Sequence, residues 1–421
     1  MGIFKDIESN VRGYCRSFPV IFAKAQNATL TDTDGNEYID FLGGAGTLNY
    51  GHNNPLFKEA LIEYIQADGL THGLDMHTEA KEAFLQTFKD VILMPRGMDY
   101  KVQFTGPTGT NAVEAALKIA RMNTGRQTIV SFTNGFHGVT QGSASVTGND
   151  KYSKANGLPM MGVQFMPFDG YLGDFNTLQY FEKALQDGSS GLGHPAGVIV
   201  ECIQGEGGLN AASAEWLRGL QDICRRYDMV LIVDDIQAGC GRSGTFFSFE
   251  EFGIEPDVIT LSKSLGGYGL PMAVVLLKEA LDTWKPGEHN GTFRGNNHAF
   301  VTARRALECY WKDDQFQKSV QHKAHIIRTR LKEIQAEFGG QMKHKGRGIM
   351  QGLEFANGEI AEQITELAFE RGLIIETSGS VGQVVKILTP LTIEEEQLQA
   401  GLAILASCIG DVMAEQISKA S

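Results

Sequence analysis

The stretch Val230–Gly244, VLIVDDIQAGCGRSG, followed by Thr260–Met272, TLSKSLGGYGLPM, decides the reading of the chain. The first piece starts as an unbroken apolar run and ends in two carboxylates, Asp234 and Asp235. Such a run, with turn residues behind it, reads as a strand buried on both faces. A carboxylate at its end costs desolvation energy unless a cation pairs with it. A pyridinium nitrogen is one such cation; a helix cap or a metal ligand is the plainer reading. The second piece ends another strand-like run in Lys263, ahead of Gly266 and Gly267. A lysine at a strand end near a glycine turn can reach into a pocket and lose its charge there, as Schiff-base chemistry requires. A lone lysine is ordinarily solvated, but the pairing of the two strand ends shifts that balance.

Outward from this stretch, helical and strand patterns alternate. YKVQFTG (100–106), TIVSFTN (128–134), GVIVECIQ (197–204) and MVLIVDD (229–235) read as buried parallel strands. PLFKEALIEYIQAD (55–68) and EAKEAFLQTFKDVIL (79–93) read as amphipathic helices, and WLRGLQDICRRYD (216–228) as a crossover helix. This predicts an α/β fold, a mainly parallel central sheet with helices on both faces, with its site at the strand C-terminal ends. TLTDTDGNEYIDFLGG (29–44) carries a hairpin signal at Asp34-Gly35. Beyond about residue 300 the pattern becomes α+β. A long helix, 319–339, precedes three strands, GIMQGLEF (348–355), GLIIETSG (372–379) and QVVKILTP (383–390), and a last helix, 394–416. The expected organisation is a large domain over 51–310 and a small α+β domain built from both termini, 1–50 and 311–421.

Several other segments carry candidate chemistry. In FTGPTGTNAVEAALKIAR (104–121) a strand runs through a glycine loop into a helix. Gly109 and Thr110 present amides at the helix N-terminus, where a phosphate is stabilised; Asn111 with Glu114 reads as a variant capping box. In SFTNGFHGVT (131–140) Phe136 can stack on a planar ring, although a core phenylalanine is the plainer reading. His137 has the same standing, and no second ligand stands at helical spacing to make a metal site. VIVECIQGEGG (198–208) holds Glu201 and Glu206 about a strand end, a pair that would suit glycoside hydrolysis less well than Lys263 and Asp234 suit a cofactor. GTFRGNNHA (291–299) offers Thr292 to a phosphate or is an ordinary polar loop. Pyridoxal phosphate needs its ring nitrogen protonated, and a buried carboxylate such as Asp234 keeps that proton in place.

Composition narrows the function classes. The chain has 421 residues, 42% of them apolar and 21% charged, which excludes disorder and allows a sizeable core. The net charge of −13 disfavours a nucleic-acid partner. No apolar run approaches the roughly 18 residues of a membrane span. The six cysteines are scattered without a CxxC pair, and the polar N-terminus lacks an apolar signal region, so a cytoplasmic chain with reduced thiols is expected.

Together these motifs resemble the class-III (ω-) aminotransferases among the fold-type I pyridoxal-phosphate enzymes, over almost the whole chain. The resemblance implies that Lys263 holds the cofactor as an internal aldimine and that Asp234 pairs with its ring nitrogen. It places Gln237 near the ring hydroxyl, Gly109 and Thr110 on the phosphate and Phe136 on the ring. It assigns Thr292 to the phosphate of a neighbouring subunit, hence a homodimer or higher homo-oligomer with shared sites. The strings ESNVRGYCRSFPVIFAKA (8–25), GAGTLNYGHNNP (44–55), THGLDMHTEAK (71–81) and YKVQFTGPTGTNAVEAALK (100–118) look like the branch that aminates L-aspartate 4-semialdehyde from L-glutamate. That branch yields L-2,4-diaminobutyrate and 2-oxoglutarate for ectoine biosynthesis by ping-pong chemistry. Ornithine, 4-aminobutyrate and acetylornithine transaminases are the nearest alternatives, an aminomutase or racemase is a second, and a non-catalytic binding protein a third. The sequence departs from the class in two places. Asp235 stands where the class has Glu, and Lys386 stands where it often has an arginine for a substrate carboxylate. A lysine is a point charge without a bidentate fork, so Arg294 is a competing candidate for that role. Glu206 is expected to pair with the substrate-site cation in one half-reaction and release it in the other.

Overall fold

A computed structural model of the chain describes residues 2–150 and 161–420 together with Tyr152, Gly157 and Pro159. Two short helices, Gly2–Ile7 and Tyr14–Ser17, lead into an antiparallel meander, β1 (Phe22–Gln26), β2 (Thr29–Asp32) and β3 (Glu37–Asp40). Asp32 Oδ1 accepts the amides of Asp34 and Asn36, each at 2.9 Å, which closes the turn read from Asp34-Gly35.

The central sheet has seven strands: β4 (Tyr100–Phe104), β5 (Ile129–Phe132), β6 (Val163–Met166), β7 (Gly197–Val200), β10 (Val230–Asp234), β11 (Val258–Leu261) and β12 (Val274–Lys278). The intervening β8 (Ile203–Gln204) and β9 (Asn210–Ala211) pair with each other outside it. The spatial order is β4-β12-β11-β10-β7-β5-β6. Strands β11, β10, β7, β5 and β6 are mutually parallel, while β12 is antiparallel to both of its neighbours. The alternation of side chains explains the unbroken apolar run of β10. Val230 and Ile232 pack with Ala112, Val113 and Ala116 of the helix Gly109–Thr124 on one face. Leu231 and Val233 pack with Trp216, Leu217 and Leu220 of the helix Ala214–Arg226 on the other. Each buried aliphatic side chain there is worth about 1.5–3 kcal/mol relative to exposure.

YKVQFTG departs from expectation. Its strand β4 is an edge strand, hydrogen-bonded antiparallel to β12 and half-buried. The reason is the short connection from β11 through Lys263, which holds one 3₁₀ turn and no crossover α-helix, so that β12 returns antiparallel and β4 pairs with it in the same way. GLIIETSG is also two strands rather than one. β15 (Leu373–Ile374) runs parallel to β3 and so ties the C-terminal segment to the opening meander. β16 (Glu376–Ser378) joins a second four-stranded sheet with β13 (Lys343–Arg347), β14 (Met350–Glu354) and β17 (Val384–Ile387), in the order β13-β14-β17-β16. The last helix, Glu395–Ala420, contains a stretch, Glu395–Gln416, long and apolar enough by composition to cross a membrane. Its Leu398, Leu402, Leu405 and Ile409 are packed into the C-terminal core, which accounts for that apolarity.

Candidate functional site

Parallel pairing sets Asp234 opposite Thr260, so Asp234 and Lys263 leave the carboxyl ends of neighbouring strands. Asp234 is buried. Its Oδ1 accepts the Thr260 hydroxyl at 3.1 Å and the Ile236 amide at 3.2 Å, and its Oδ2 lies 2.7 Å from His137 Nδ1. Burial works against a His137 cation, but the hydrogen bond and charge of Asp234, with Glu201 behind them, more than offset it and raise the imidazole pKa. His137 is thus the partner of Asp234 rather than a filler of the core. Asp235 points to the other face, where the Ser248 amide donates to its Oδ2 at 3.0 Å.

Lys263 begins a short 3₁₀ turn with φ +49°, a left-handed conformation that side chains other than glycine adopt at a cost. Its amine donates to the carbonyl of Ala45 at 2.8 Å. Burial lowers its pKa; Glu206 opposes that shift and Lys386 adds to it. Ala45 lies in a turn, Gly43–Gly46, in which all four φ angles are positive. Gln237 Nε2 donates to the same carbonyl and to Glu206 Oε1, each at 3.1 Å. The other end of this amide, Gln237 Oε1, is buried without a donor.

The glycine loop comes up beside these strand ends. A Cβ on Gly109 would stand 3.0 Å from Ile236, which follows the Asp234-Asp235 pair, so the helix N-terminus abuts β10. The helix cap departs from the capping-box reading. Thr108 is the N-cap residue, and Asn111 Oδ1 accepts its hydroxyl at 2.7 Å. Glu114 reaches away instead, and its Oε1 accepts the amides of Gly142 and Ser143 at 2.8 and 3.1 Å. That carboxylate sits at the start of the next short helix, which complements its dipole. Thr110 Oγ1 lies 2.6 Å from both Thr140 Oγ1 and Ser143 Oγ, so three hydroxyls cluster at the helix N-terminus.

A charged cluster closes the other side. Lys386 on β17 is fully buried, with Nζ 2.9 Å from Glu206 Oε1 and 3.1 Å from Glu376 Oε1. Burial alone would strip its charge; the two acids reverse that and hold it above the ordinary lysine range. Burial raises the Glu206 carboxyl, but Lys386 and Lys263 outweigh that and bring its pKa down. Tyr14, from the N-terminal segment, donates to Glu376 Oε2 at 3.2 Å. Glu201 stands apart: it accepts the amides of Phe136 and Gly205, and burial pushes its pKa up to about 7.

Most residues expected at the site therefore converge, namely Lys263, Asp234, Gln237, Gly109, Thr110, Glu206 and Lys386. Phe136 is half-buried, its ring edge-on to Tyr152 at 5.0 Å, and with Glu206 and Asn134 it lines a cavity of about 260 Å³. Thr292 is exposed on the turn Thr292–Gly295. Arg294 lines a different cavity with Asp75, Lys81 and Lys101, and its Nη2 donates to the His289 carbonyl at 2.7 Å. Of the two candidate cations, Lys386 stands with Glu206 near Lys263, and Arg294 does not. Sequence reasoning missed Ala45 and Glu376. The second had a signal, since Glu376 and Lys386 are equidistant from the middle of the turn between β16 and β17, as cross-strand partners are.

These residues fit pyridoxal phosphate. A buried strand-end carboxylate suits the ring nitrogen, the orphaned Gln237 Oε1 suits a hydroxyl donor, and the helix N-terminus with its hydroxyls suits a phosphate. Residues 12–409 match the model of the family described as aminotransferase class-III. The chain is 60% identical to the diaminobutyrate–2-oxoglutarate transaminase of Halomonas elongata over 96% of this chain and 97% of that one. The corresponding transaminase of Vibrio cholerae is 57% identical, over 96% and 98%. Among solved structures, the ornithine aminotransferase of Toxoplasma gondii superposes with a TM-score of 0.85 at 25% identity, covering 98% of this chain and 95% of that one. A transaminase from the marine bacterium Virgibacillus shares the fold with a TM-score of 0.87 at 19% identity, over 98% of both chains.

Proposed function

The chain belongs to the class-III aminotransferase family of pyridoxal-phosphate enzymes, and from that premise we propose that it transfers the amino group of L-glutamate to L-aspartate 4-semialdehyde, giving L-2,4-diaminobutyrate and 2-oxoglutarate, a step of ectoine biosynthesis. The relatives that share more than half of its residues carry the name of that reaction. The observation that carries the reading is the lysine pair. Lys263 offers a buried amine whose pKa burial lowers, and Lys386 offers a buried cation whose charge Glu206 masks.

The residues that would hold the cofactor are Lys263, Asp234, Gln237, Gly109, Thr110 and Phe136, with Thr292 assigned to the phosphate of a neighbouring subunit in a shared-site dimer. When bound, pyridoxal phosphate supplies an electron sink for the carbon that loses its proton. Burial favours the neutral amine of Lys263, so this group would accept the α-proton of glutamate in one half-reaction and, in the other, deliver a proton to the former aldehyde carbon, which becomes the terminal amine carbon. Asp234, oriented by His137, holds a proton on the ring nitrogen. Glu206 answers the difference between the two substrates. Glutamate brings a carboxylate next to the reacting carbon and needs Lys386 free, whereas the semialdehyde brings none there and needs Lys386 masked. A negative charge on Glu206 does the masking, and its place in the Gly205–Gly208 loop lets it turn aside.

Lys263→Ala is expected to abolish turnover of glutamate with aspartate semialdehyde, a loss of at least about 10³-fold for a residue acting as both anchor and base. Steady-state assay with the purified protein checks this, and normal turnover in the variant would reject the reading.

A further inference from the structure

Lys386 is a fully buried ammonium with two carboxylates on it. The two acids are held differently. Glu376 is the cross-strand partner of Lys386 in the β16–β17 ladder, so its backbone is fixed relative to the lysine. Its Oε1 stands 3.1 Å from Nζ, a close ionic contact made from a fixed strand, and its Oε2 takes the Tyr14 hydroxyl. Glu206 accepts a true hydrogen bond from Lys386 yet sits on a glycine loop, its side chain 25% exposed against 11% for Glu376. One acid is built into a sheet; the other can leave.

A second acid answers a problem that lysine creates. An arginine keeps its charge when a partner departs and holds a carboxylate with a fork. A buried lysine whose only anion turned away would release its proton or swing on its flexible stem. We infer that Glu376 is a positioning residue that anchors Lys386 while Glu206 exchanges with the incoming carboxylate, and that it thereby sets competence for glutamate rather than for diaminobutyrate. This rests on the reaction proposed above. The charged and titratable groups facing Lys386 are Glu206 from its loop, Glu376 from β16, Tyr14 from the N-terminal segment, Tyr152, and Lys263 from the end of β11. The neighbouring position on β14 is Gly352, which adds no charge.

The test compares single-turnover half-reactions of the wild-type holoenzyme and Glu376→Gln with L-glutamate and with L-2,4-diaminobutyrate. The glutamate rate constant kcat/KM is expected to fall about tenfold, the scale of one lost charge-assisted contact. That loss should grow as pH rises from about 7 to about 10, because Lys386 is then held charged by Glu206 alone. The diaminobutyrate rate, for which Glu206 stays on Lys386, is expected to change less than about twofold. Binding of glutarate, an unreactive dicarboxylate, should weaken in step with the glutamate rate. Glu376→Asp should restore part of both, and Tyr14→Phe should show the same asymmetry at smaller amplitude even if Glu376→Gln fails to fold. Equal losses for the two amino acids, or a glutamate rate and glutarate affinity unchanged across that pH range, overturn the inference alone. A wild-type enzyme inert toward both amino acids overturns the proposed reaction and this inference with it.

Discussion

Asp234 and Asp235 leave β10 toward opposite faces, and the chemistry divides with them. Asp234 meets an imidazole and a hydroxyl. Asp235 is taken out of water with a backbone amide for company; burial raises its carboxyl, Ser248 opposes that, Asp234 repels it further, and the pKa is pushed up to about 7. An acid whose folded pKa exceeds its unfolded value of 3.8 binds its proton more tightly in the folded state. Its contribution to stability is therefore full at low pH, is lost as pH rises from about 4 to about 7, and stays lost above that. Asp235→Asn keeps an acceptor for Ser248 and cannot ionise. The variant is expected to melt above the wild type by a margin that grows between about pH 4 and pH 7 and is constant beyond. Thermal denaturation of the two proteins across that range checks it, and a pH-independent margin would show that folding does not raise the Asp235 pKa. In the sequence the two aspartates are adjacent and alike. Alternation says that one of them faces the site, but choosing between them takes the β10–β11 register and the position of His137, which lies 97 residues from Asp234.

Among elements, the turn Gly43–Gly46 has the most exacting geometry. Gly43 has φ +54°, and a Cβ there would stand 2.4 Å from the Leu388 carbonyl oxygen. Its left-handed path aims the Ala45 carbonyl at both Lys263 Nζ and Gln237 Nε2. Gly43→Ala thus meets strain and a backbone clash together. Each costs roughly 1–3 kcal/mol, and the melting midpoint should drop by several degrees. Gly97→Ala is the control: its φ is +62° with open space around it, so it meets the strain without the clash. Turnover should fall in the first variant and not in the second, and equal behaviour of the two would remove the turn from the site. The strands and helices that carry the site were legible because apolar periodicity is local, as the ends of β10 and the helix Ala214–Arg226 show. This turn was not. FLGG reads as the end of a hairpin, and the lysine that gives it a purpose lies 218 residues from Ala45. GLIIETSG failed for a related reason, since one apolar run was divided between two sheets by partners that local pattern does not reveal.

At the scale of the whole molecule, three distant stretches of chain meet under Lys263, and Arg242 joins them. It is fully buried in the loop after β10, inside the stretch that first marked the fold. Its Nη1 donates to the carbonyls of Ile349 and Thr389, and its Nη2 to Asn49 Oδ1. Asn49 in turn donates its amide to Ser264 Oγ, beside Lys263, and its Nδ2 to the Cys240 carbonyl at 2.9 Å. The opening segment, the C-terminal sheet and the loop after β10 are thus tied through one planar fork, whose fixed donors suit several acceptors at once. Nothing in CGRSG announces this, because each acceptor is more than a hundred residues away. Arg242→Met fills similar volume but strands buried acceptors at about 1–3 kcal/mol each, so the melting midpoint should fall by several degrees. Arg242→Lys keeps the charge and loses the fork. If the tie is geometric, the lysine variant should melt close to the methionine variant rather than to the wild type. If only a buried charge is needed, lysine should restore the wild-type midpoint. Because Asn49 leads to Ser264, the same two variants should also lose turnover in the order in which they lose stability, and a destabilised variant with wild-type turnover would sever Arg242 from the site.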